Sequence, residues 1–469
     1  MKPRLSTLLM LVSGLAGCTA VGSDYAPPKT VVAAKWIAPV DEHAPDQQWW
    51  RSLNDPTLDR LVELALAGSL DLREAQARLR EARAQRDAVR GQSYPEVTAS
   101  GTVTENRLSE NGQLPIGDLP GFDPTFSLFD LGFDASWEID LWGRNRRATE
   151  GADARAQAAG EGLRGATLSL IAEVCRTYVD LRAAQARQAS ARADATAQAK
   201  IAQLVGERYR AGEASRFDFA RADAQAQSTA SIVDNLEADA RAAAYRIAVL
   251  TGRPPEAVVA ALLPPADLPQ SPGSISAGLR SDLLRRRPDI RQAERELAAS
   301  VADVGVATAD LFPRFSLIGS IGQQSRTAGD LTAGDSTRFQ IGPALHWPLF
   351  SGGRMRALVR AADARSDAAL VRYERAVLSA LADSESALNR LAAAEATRRK
   401  VVAARDQTSL ALDLARQRYR AGEDDLVVLL TAQSAFSTAE RQSVDARAAE
   451  LAAFIAAHKA LGGGWEAVQ

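Results

Sequence analysis

The sequence predicts a mainly α-helical chain with a transmembrane β-barrel. Four strands from each of three copies would close a twelve-stranded barrel that continues into a long α-helical tunnel. Three observations lead there. Two proline-free stretches are too long for the helices of an ordinary globular domain. The chain repeats itself, so both halves carry the same order of elements. Four short segments alternate apolar and polar residues with period two.

The N-terminus comes first. Lys2 and Arg4 precede a short apolar run, Leu8 to Val12, and then Leu15-Ala16-Gly17-Cys18. That run is too short to span a bilayer, so residues 1–17 read as a signal peptide. The ending resembles a bacterial lipoprotein box, in which Cys18 is the lipidation site. An ordinary signal peptide with a small-residue cut site is the alternative. Thr19 after the cysteine, in place of Asp, favours the outer membrane by the same resemblance. One lipidated terminus anchors weakly, so a second membrane element is expected. No later segment approaches ~18 consecutive apolar residues, so a membrane-spanning part must be built of strands.

Composition supports the helical reading. Alanine, leucine, arginine, glutamate and glutamine are abundant, and aromatics make up only 6% of the chain; this is the profile of long helices or coiled coil. The formal net charge is −2, which gives no reason to expect a nucleic-acid partner. Beyond Cys18, Cys175 sits in a helical alanine-rich run and reads as a buried small hydrophobe.

The repeat organises the rest. Asp71-Leu72-Arg73-Glu74-Ala75 opens a helix leading to Tyr94-Pro95, and Pro288-Asp289-Ile290-Arg291 opens one leading to Phe312-Pro313. Tyr209-Arg210-Ala211-Gly212-Glu213 recurs verbatim as Tyr419-Arg420-Ala421-Gly422-Glu423. Each half therefore reads helix, strand, strand, long helix, tight turn, helix. The expected segments are 18–93 (lipidated N-terminus, equatorial segment, first helix), 94–146 (first strand pair), 147–252 (first long helical hairpin) and 253–280 (equatorial connector). A helix at 281–311, a second strand pair at 312–352, a second long hairpin at 353–461 and a tail at 462–469 follow. The run from Ala152 to Arg210 would reach ~90 Å, and that from Met355 to Arg420 a little more. Such rods also fit an extended structure with no channel.

The strands separate these readings. In Phe129 to Leu141 the odd positions are apolar and the even ones are Asp130, Gly132, Asp134, Ser136, Glu138 and Asp140. Val97 to Thr104 and Phe339 to Leu349 alternate likewise; in Phe315 to Ile321, Ile318 breaks the pattern. Four strands cannot close, and open edges are not tolerated in lipid. Two copies would give a barrel filled by side chains, whereas three leave an aqueous lumen.

Gln48-Trp49-Trp50, Asp55-Pro56-Thr57-Leu58, Arg286-Arg287-Pro288-Asp289-Ile290, Leu311-Phe312-Pro313, Phe350-Ser351-Gly352-Gly353-Arg354 and Ala460-Leu461-Gly462-Gly463-Gly464-Trp465 resemble, in order, the motifs of TolC-like outer-membrane factors of the lipoprotein, NodT-like branch. The resemblance covers essentially the whole chain after the signal. It implies a homotrimer in the outer membrane, with a periplasmic helical tunnel and an equatorial collar. It also implies docking onto a periplasmic membrane-fusion (adaptor) protein and an inner-membrane pump, commonly of the RND class found in multidrug resistance. The expected function is the outer-membrane channel of a tripartite efflux pump. A duct of type I protein secretion and a non-pore periplasmic coiled-coil lipoprotein are the alternatives.

No catalytic constellation, phosphate loop or metal-ligand cluster is present in the sequence, so no enzyme activity, cofactor or metal site is expected. The resemblance marks Tyr209, Arg210, Gly212, Glu213, Tyr419, Arg420, Gly422 and Glu423 as the periplasmic tip and adaptor-docking residues. Gly212 and Gly422 also suit the left-handed residue that ends a helix, and Arg210 and Arg420 suit its negative end, which is the plainer reading. The position where many family members carry an acidic constriction residue is Thr431 here. Arg216, Asp218, Asp424 and Asp425 are substitute gate candidates; helix N-capping by Asp424 or Ser215 is the alternative. Asp130, Asp134, Glu138 and Asp140 are expected to line the barrel lumen and favour cations, or merely to solvate one face.

Overall fold

The computed structural model describes residues 20–109 and 123–465, apart from residues 31, 34, 39, 40, 42, 44, 45 and 274. The signal segment 1–17 and Cys18 lie outside the described residues. In chain order the elements are α1 (Pro56–Gly68), α2 (Leu70–Gly91), β1 (Glu96–Arg107), β2 (Thr125–Ile139), α3 (Arg144–Arg210), α4 (Arg216–Leu250), α5 (Val259–Leu262) and α6 (Leu283–Arg286). Then come α7 (Pro288–Ala309), β3 (Arg314–Ser325), β4 (Thr337–His346), α8 (Arg354–Ala421) and α9 (Leu426–Ala460).

Local chemistry sets the helix starts. Asp55 accepts the backbone N–H of Thr57 at 2.9 Å and of Leu58 at 3.3 Å, with Pro56 in the first helical position of α1. This gives the Asp-Pro-Thr-Leu motif a physical role and adds a helix that precedes the expected one. Ser215 and Asp218 form a reciprocal capping box at α4. Helix α3 spans 67 residues and α8 spans 68, each ~100 Å at the usual rise. Helix α3 begins at Arg144, ahead of the expected boundary at residue 147, because Gly143 turns the chain with φ +77° immediately before it.

The chain divides into two compact units. One holds Arg80–Ala158, Ala293–Tyr373 and the chain up to Pro28. Its sheet is antiparallel in the order β1-β2-β3-β4, so the strand pairs of the two repeats meet at β2 and β3. Strand β2 starts earlier than its alternation suggested, at Thr125, and ends at Ile139. Three indole N–H groups hold the turns where helices lead into strands. Trp137 donates to the Ser93 carbonyl at 3.0 Å, Trp142 to that of Pro313 at 2.8 Å, and Trp347 to that of Leu311 at 3.2 Å.

The other unit holds Lys29–Leu79, Ala159–Gln292 and Glu374–Gln469. Its core packs Trp49, Leu53, Leu58, Ile171, Tyr178, Leu181, Ile247, Leu262 and Phe454, all fully buried. Burying side chains of this size stabilises by roughly 1.5–3 kcal/mol each. Cys175 lies in the same core, where burial pushes its thiol pKa up and leaves it inert. Two motifs far apart in sequence meet there: the Trp49 indole N–H donates to the Gly463 carbonyl at 3.2 Å. The guanidinium groups of Arg164 and Arg291 lie 5.0 and 5.6 Å from the Trp465 ring centre. Both arginines also pair with the buried Glu161, at 2.5 and 2.6 Å.

Candidate functional site

Two features bear on function, and each is built within one unit. The first is the sheet. Pairing registers put Val97, Ala99, Val103, Phe129, Leu131, Phe133, Trp137, Ile139, Leu317, Ile321, Phe339, Ile341 and Leu345 on one face. Most of them are exposed, Phe339 by 77% and Ile341 by 73%. An apolar sheet face of this extent left open in one chain marks a lipid or protein contact. The opposite face carries Glu96, Thr98, Ser100, Thr102, Asp130, Asp134, Ser136, Glu138, Ser316, Ser320, Gln324, Arg338 and Gln340. Ile318, the residue that broke the alternation, lies on this polar face beside Ser136 and Gly342. Among the described residues β1 pairs only with β2, and β4 only with β3, so each keeps one edge open.

Of the four carboxylates expected on that face, Asp130, Asp134 and Glu138 lie there. Asp134 accepts the Ser100 hydroxyl at 3.0 Å. Asp140 does not. It follows the end of β2, and its carboxylate accepts the Arg146 backbone N–H at 2.9 Å at the start of α3. The strand stops two residues before the Leu141 that closes the alternation, and the Asp140 carboxylate satisfies an amide that the helix cannot. Alternation had suggested nothing about Arg338, which joins Asp130 across the sheet.

The second feature is the pair of helical turns. In the first, Gly212 (φ +79°) donates to the Tyr209 carbonyl at 3.0 Å and Glu213 to that of Arg208 at 2.8 Å. In the second, Gly422 (φ +77°) donates to Tyr419 at 3.2 Å and Glu423 to Arg418 at 3.0 Å. Both are Schellman turns, with glycine in the left-handed position. The repeat is longer by one residue than the five noted in the sequence, because Arg208 and Arg418 precede it identically. Each reaches over its own turn, Arg208 to Glu213 and Arg418 to Glu423, both at 3.7 Å.

Identical sequences take different surroundings. Tyr209 is exposed and stacks on Phe219, 5.7 Å between centroids and 3° from parallel. Tyr419 is buried with Leu412, Leu426, Leu429 and Leu430 of its own hairpin and Ile201 and Val205 of the other. The Arg208 guanidinium lies 5.3 Å from the Tyr419 ring centre, a cation–π contact. The arginine of one turn therefore grips the tyrosine of the other.

The gate candidates are mostly occupied locally. Asp425, not Asp424, caps α9, accepting the Val428 N–H at 3.0 Å; the extended backbone at Asp425 (φ −84°, ψ 168°) suits a cap. Asp424 pairs with Arg418 at 3.0 Å. Asp218 belongs to the capping box, and Ser215 caps as the sequence allowed. Arg216 is exposed at the first position of α4. The Thr431 hydroxyl donates to the Val427 carbonyl at 2.7 Å, one turn back on its own helix.

Among the described residues no cluster of three or more His, Cys, Asp and Glu is placed to hold a metal. No described helix is long and apolar enough to cross a membrane.

Residues 61–253 and 279–463 match the family model described as outer membrane efflux protein. The pyoverdine export outer membrane protein OpmQ of Pseudomonas aeruginosa is 32% identical over 465 residues, spanning 98% of this chain and 97% of that one. Nodulation protein T of Rhizobium leguminosarum bv. trifolii is 32% identical over 432 residues, 91% of this chain and 90% of its own. Among solved structures, the outer-membrane channel OprN aligns with a TM-score of 0.87 at 40% identity, covering 95% of this chain and 99% of that chain.

Proposed function

The chain belongs to the outer membrane efflux protein family, and on that premise we propose how its sheet and its two helical turns make a conduit. It is the outer-membrane channel component of an efflux pump. Three copies join the open edge of β4 in one to that of β1 in the next and close a barrel of twelve strands. The apolar face turns to lipid and the polar face to a water-filled lumen. The long helices continue the conduit as the wall of a periplasmic tube. The observation that carries this reading is the division of the sheet, with exposed Phe339 and Ile341 on one side and Asp130, Asp134 and Glu138 on the other.

Cys18 carries the lipid anchor. The turns at Tyr209–Glu213 and Tyr419–Glu423 dock a membrane-fusion protein, which couples the channel to an RND-type inner-membrane pump. Phe217, 70% exposed beside the first turn, and Val427 and Val428, exposed beside the second, supply apolar surface for that contact. Gating rests on the Arg208–Tyr419 grip more than on Thr431, which has no charge to offer. Small molecules are the cargo, in keeping with the naming of OpmQ for pyoverdine export. The chain performs no covalent step on them and takes no cofactor or metal.

Planar-bilayer recording on the purified full chain, with crosslinking of the same sample, tests this. Discrete cation-favouring conductance from a crosslinked trimer is the expected result. A monomer or dimer that extracts without detergent and never conducts would exclude it.

A further inference from the structure

Ser100, Gly132, Gly322 and Arg338 form one cross-strand row on the polar face of the sheet. The two glycines face each other with no room to spare. A Cβ on Gly132 would come within 2.8 Å of the Ile321 carbonyl oxygen, and one on Gly322 within 2.6 Å of that of Leu131. This bare strip lets the Arg338 side chain lie across β3; its Nη2 is 3.4 Å from where a Gly132 Cβ would stand. Arg338 so reaches Asp130 on β2 with two bonds, Nη2 to Oδ1 at 2.6 Å and Nε to Oδ2 at 3.0 Å. The Gln324 amide donates to Asp130 Oδ2 at 2.6 Å. The planar guanidinium fork makes this pair; a lysine ammonium would not.

The charged residues that strand register assigns to this face are Glu96, Asp130, Asp134, Glu138, Arg314 and Arg338. Arg314 already pairs with Asp310. Asp130 and Arg338 therefore cancel at the end of the sheet away from the helices. Glu96, Asp134 and Glu138 carry the remaining negative charge, nearer the helix end.

We propose that Arg338 is a selectivity-determining residue of the conduit: by neutralising Asp130 it confines the cation-attracting field of the lumen to the Glu96, Asp134 and Glu138 end. This rests on the lumenal reading of the polar face proposed above. The glycine strip is the backbone condition for it, since a Cβ at 132 or 322 would collide with the carbonyl of the neighbouring strand.

The test uses the full-length trimer carrying Gln340→Cys, an exposed position on the same face two residues from Arg338. Labelling rates with a cationic and an anionic methanethiosulfonate are compared, with the chain lacking this substitution as background. Adding Arg338→Gln should raise the cation-to-anion rate ratio about fivefold, and adding Asp130→Asn should lower it by a similar factor. The variant carrying both should return to the value of Gln340→Cys alone. A purely structural pair would move both single variants in the same direction or leave both unchanged, and either result overturns the proposal. A trimer whose introduced cysteine reacts with neither reagent would overturn the lumenal reading itself, an outcome distinct from an unmoved ratio.

Discussion

Trp49 and His458 lie face to face, their ring centroids 4.9 Å apart and their planes 7° from parallel. Phe454 meets both edge-on, at 6.1 and 4.5 Å. The stack ties the short 3-10 turn Trp49–Leu53 to helix α9 and lies within the largest buried cluster of its unit. The same Trp49 holds the glycine-rich tail, its indole N–H donating to the Gly463 carbonyl.

Burial keeps His458 neutral, with its pKa pulled down to about 3 from an ordinary 6.5. In the unfolded chain the same imidazole takes up a proton near pH 6.5. Between these values the unfolded state binds more protons. The His458 contribution to stability is therefore fully present above about pH 6.5 and is lost as the pH falls toward 3. His458→Phe keeps an aromatic ring against Trp49 and removes the titration. Its melting temperature should fall less than that of the parent between about pH 7 and pH 4; equal falls would show that this imidazole is not held neutral.

Gly422 sits at φ +77° with open space around it, so Gly422→Ala tests backbone strain alone. A loss of about 1 kcal/mol is expected. Gly91, also unobstructed but without a positive φ, provides the contrast: Gly91→Ala should be neutral or gain about 0.5 kcal/mol. Hydrogen exchange at the second turn would report the first effect locally. Indistinguishable exchange in the two variants would remove the strain account of the turn.

Arg208→Ala deletes the cation that stands against the second turn's tyrosine, and Tyr419→Leu deletes the aromatic ring while keeping the buried site apolar. Both should raise the open fraction of the channel in bilayers. Combined, they should do no more than Arg208→Ala alone, because one interaction can be lost only once. Fully additive effects would mean that the two residues act separately.

Much of this was legible before any coordinates. Period-two alternation placed Asp130, Asp134 and Glu138 on one face because side-chain direction in a strand follows from residue parity. The duplicated Tyr-Arg-Ala-Gly-Glu marked both turns because a left-handed helix end calls for glycine. Asp140 lies just past the end of β2, a boundary that parity does not report. The sequence offers Asp424 as a gate candidate or, alternatively, a cap, yet Asp425 caps α9, because capping is decided by one residue's backbone angles, to which composition is blind.

Local rules thus determined the repeat, the strand faces, the helix-ending turns and, through counting strands against a barrel that must close, the architecture. What only the tertiary structure decided were the partners. Arg338 finds Asp130 because β3 stands between β2 and β4 and carries no side chain at Gly322. Tyr419 is buried and Tyr209 exposed, although their sequence surroundings match, because only one of them faces the other hairpin. Trp49 meets His458 and Gly463 across some four hundred residues. Periodicity reports the direction a side chain takes from its own backbone; which distant group waits there is set by packing, and packing is not a local property.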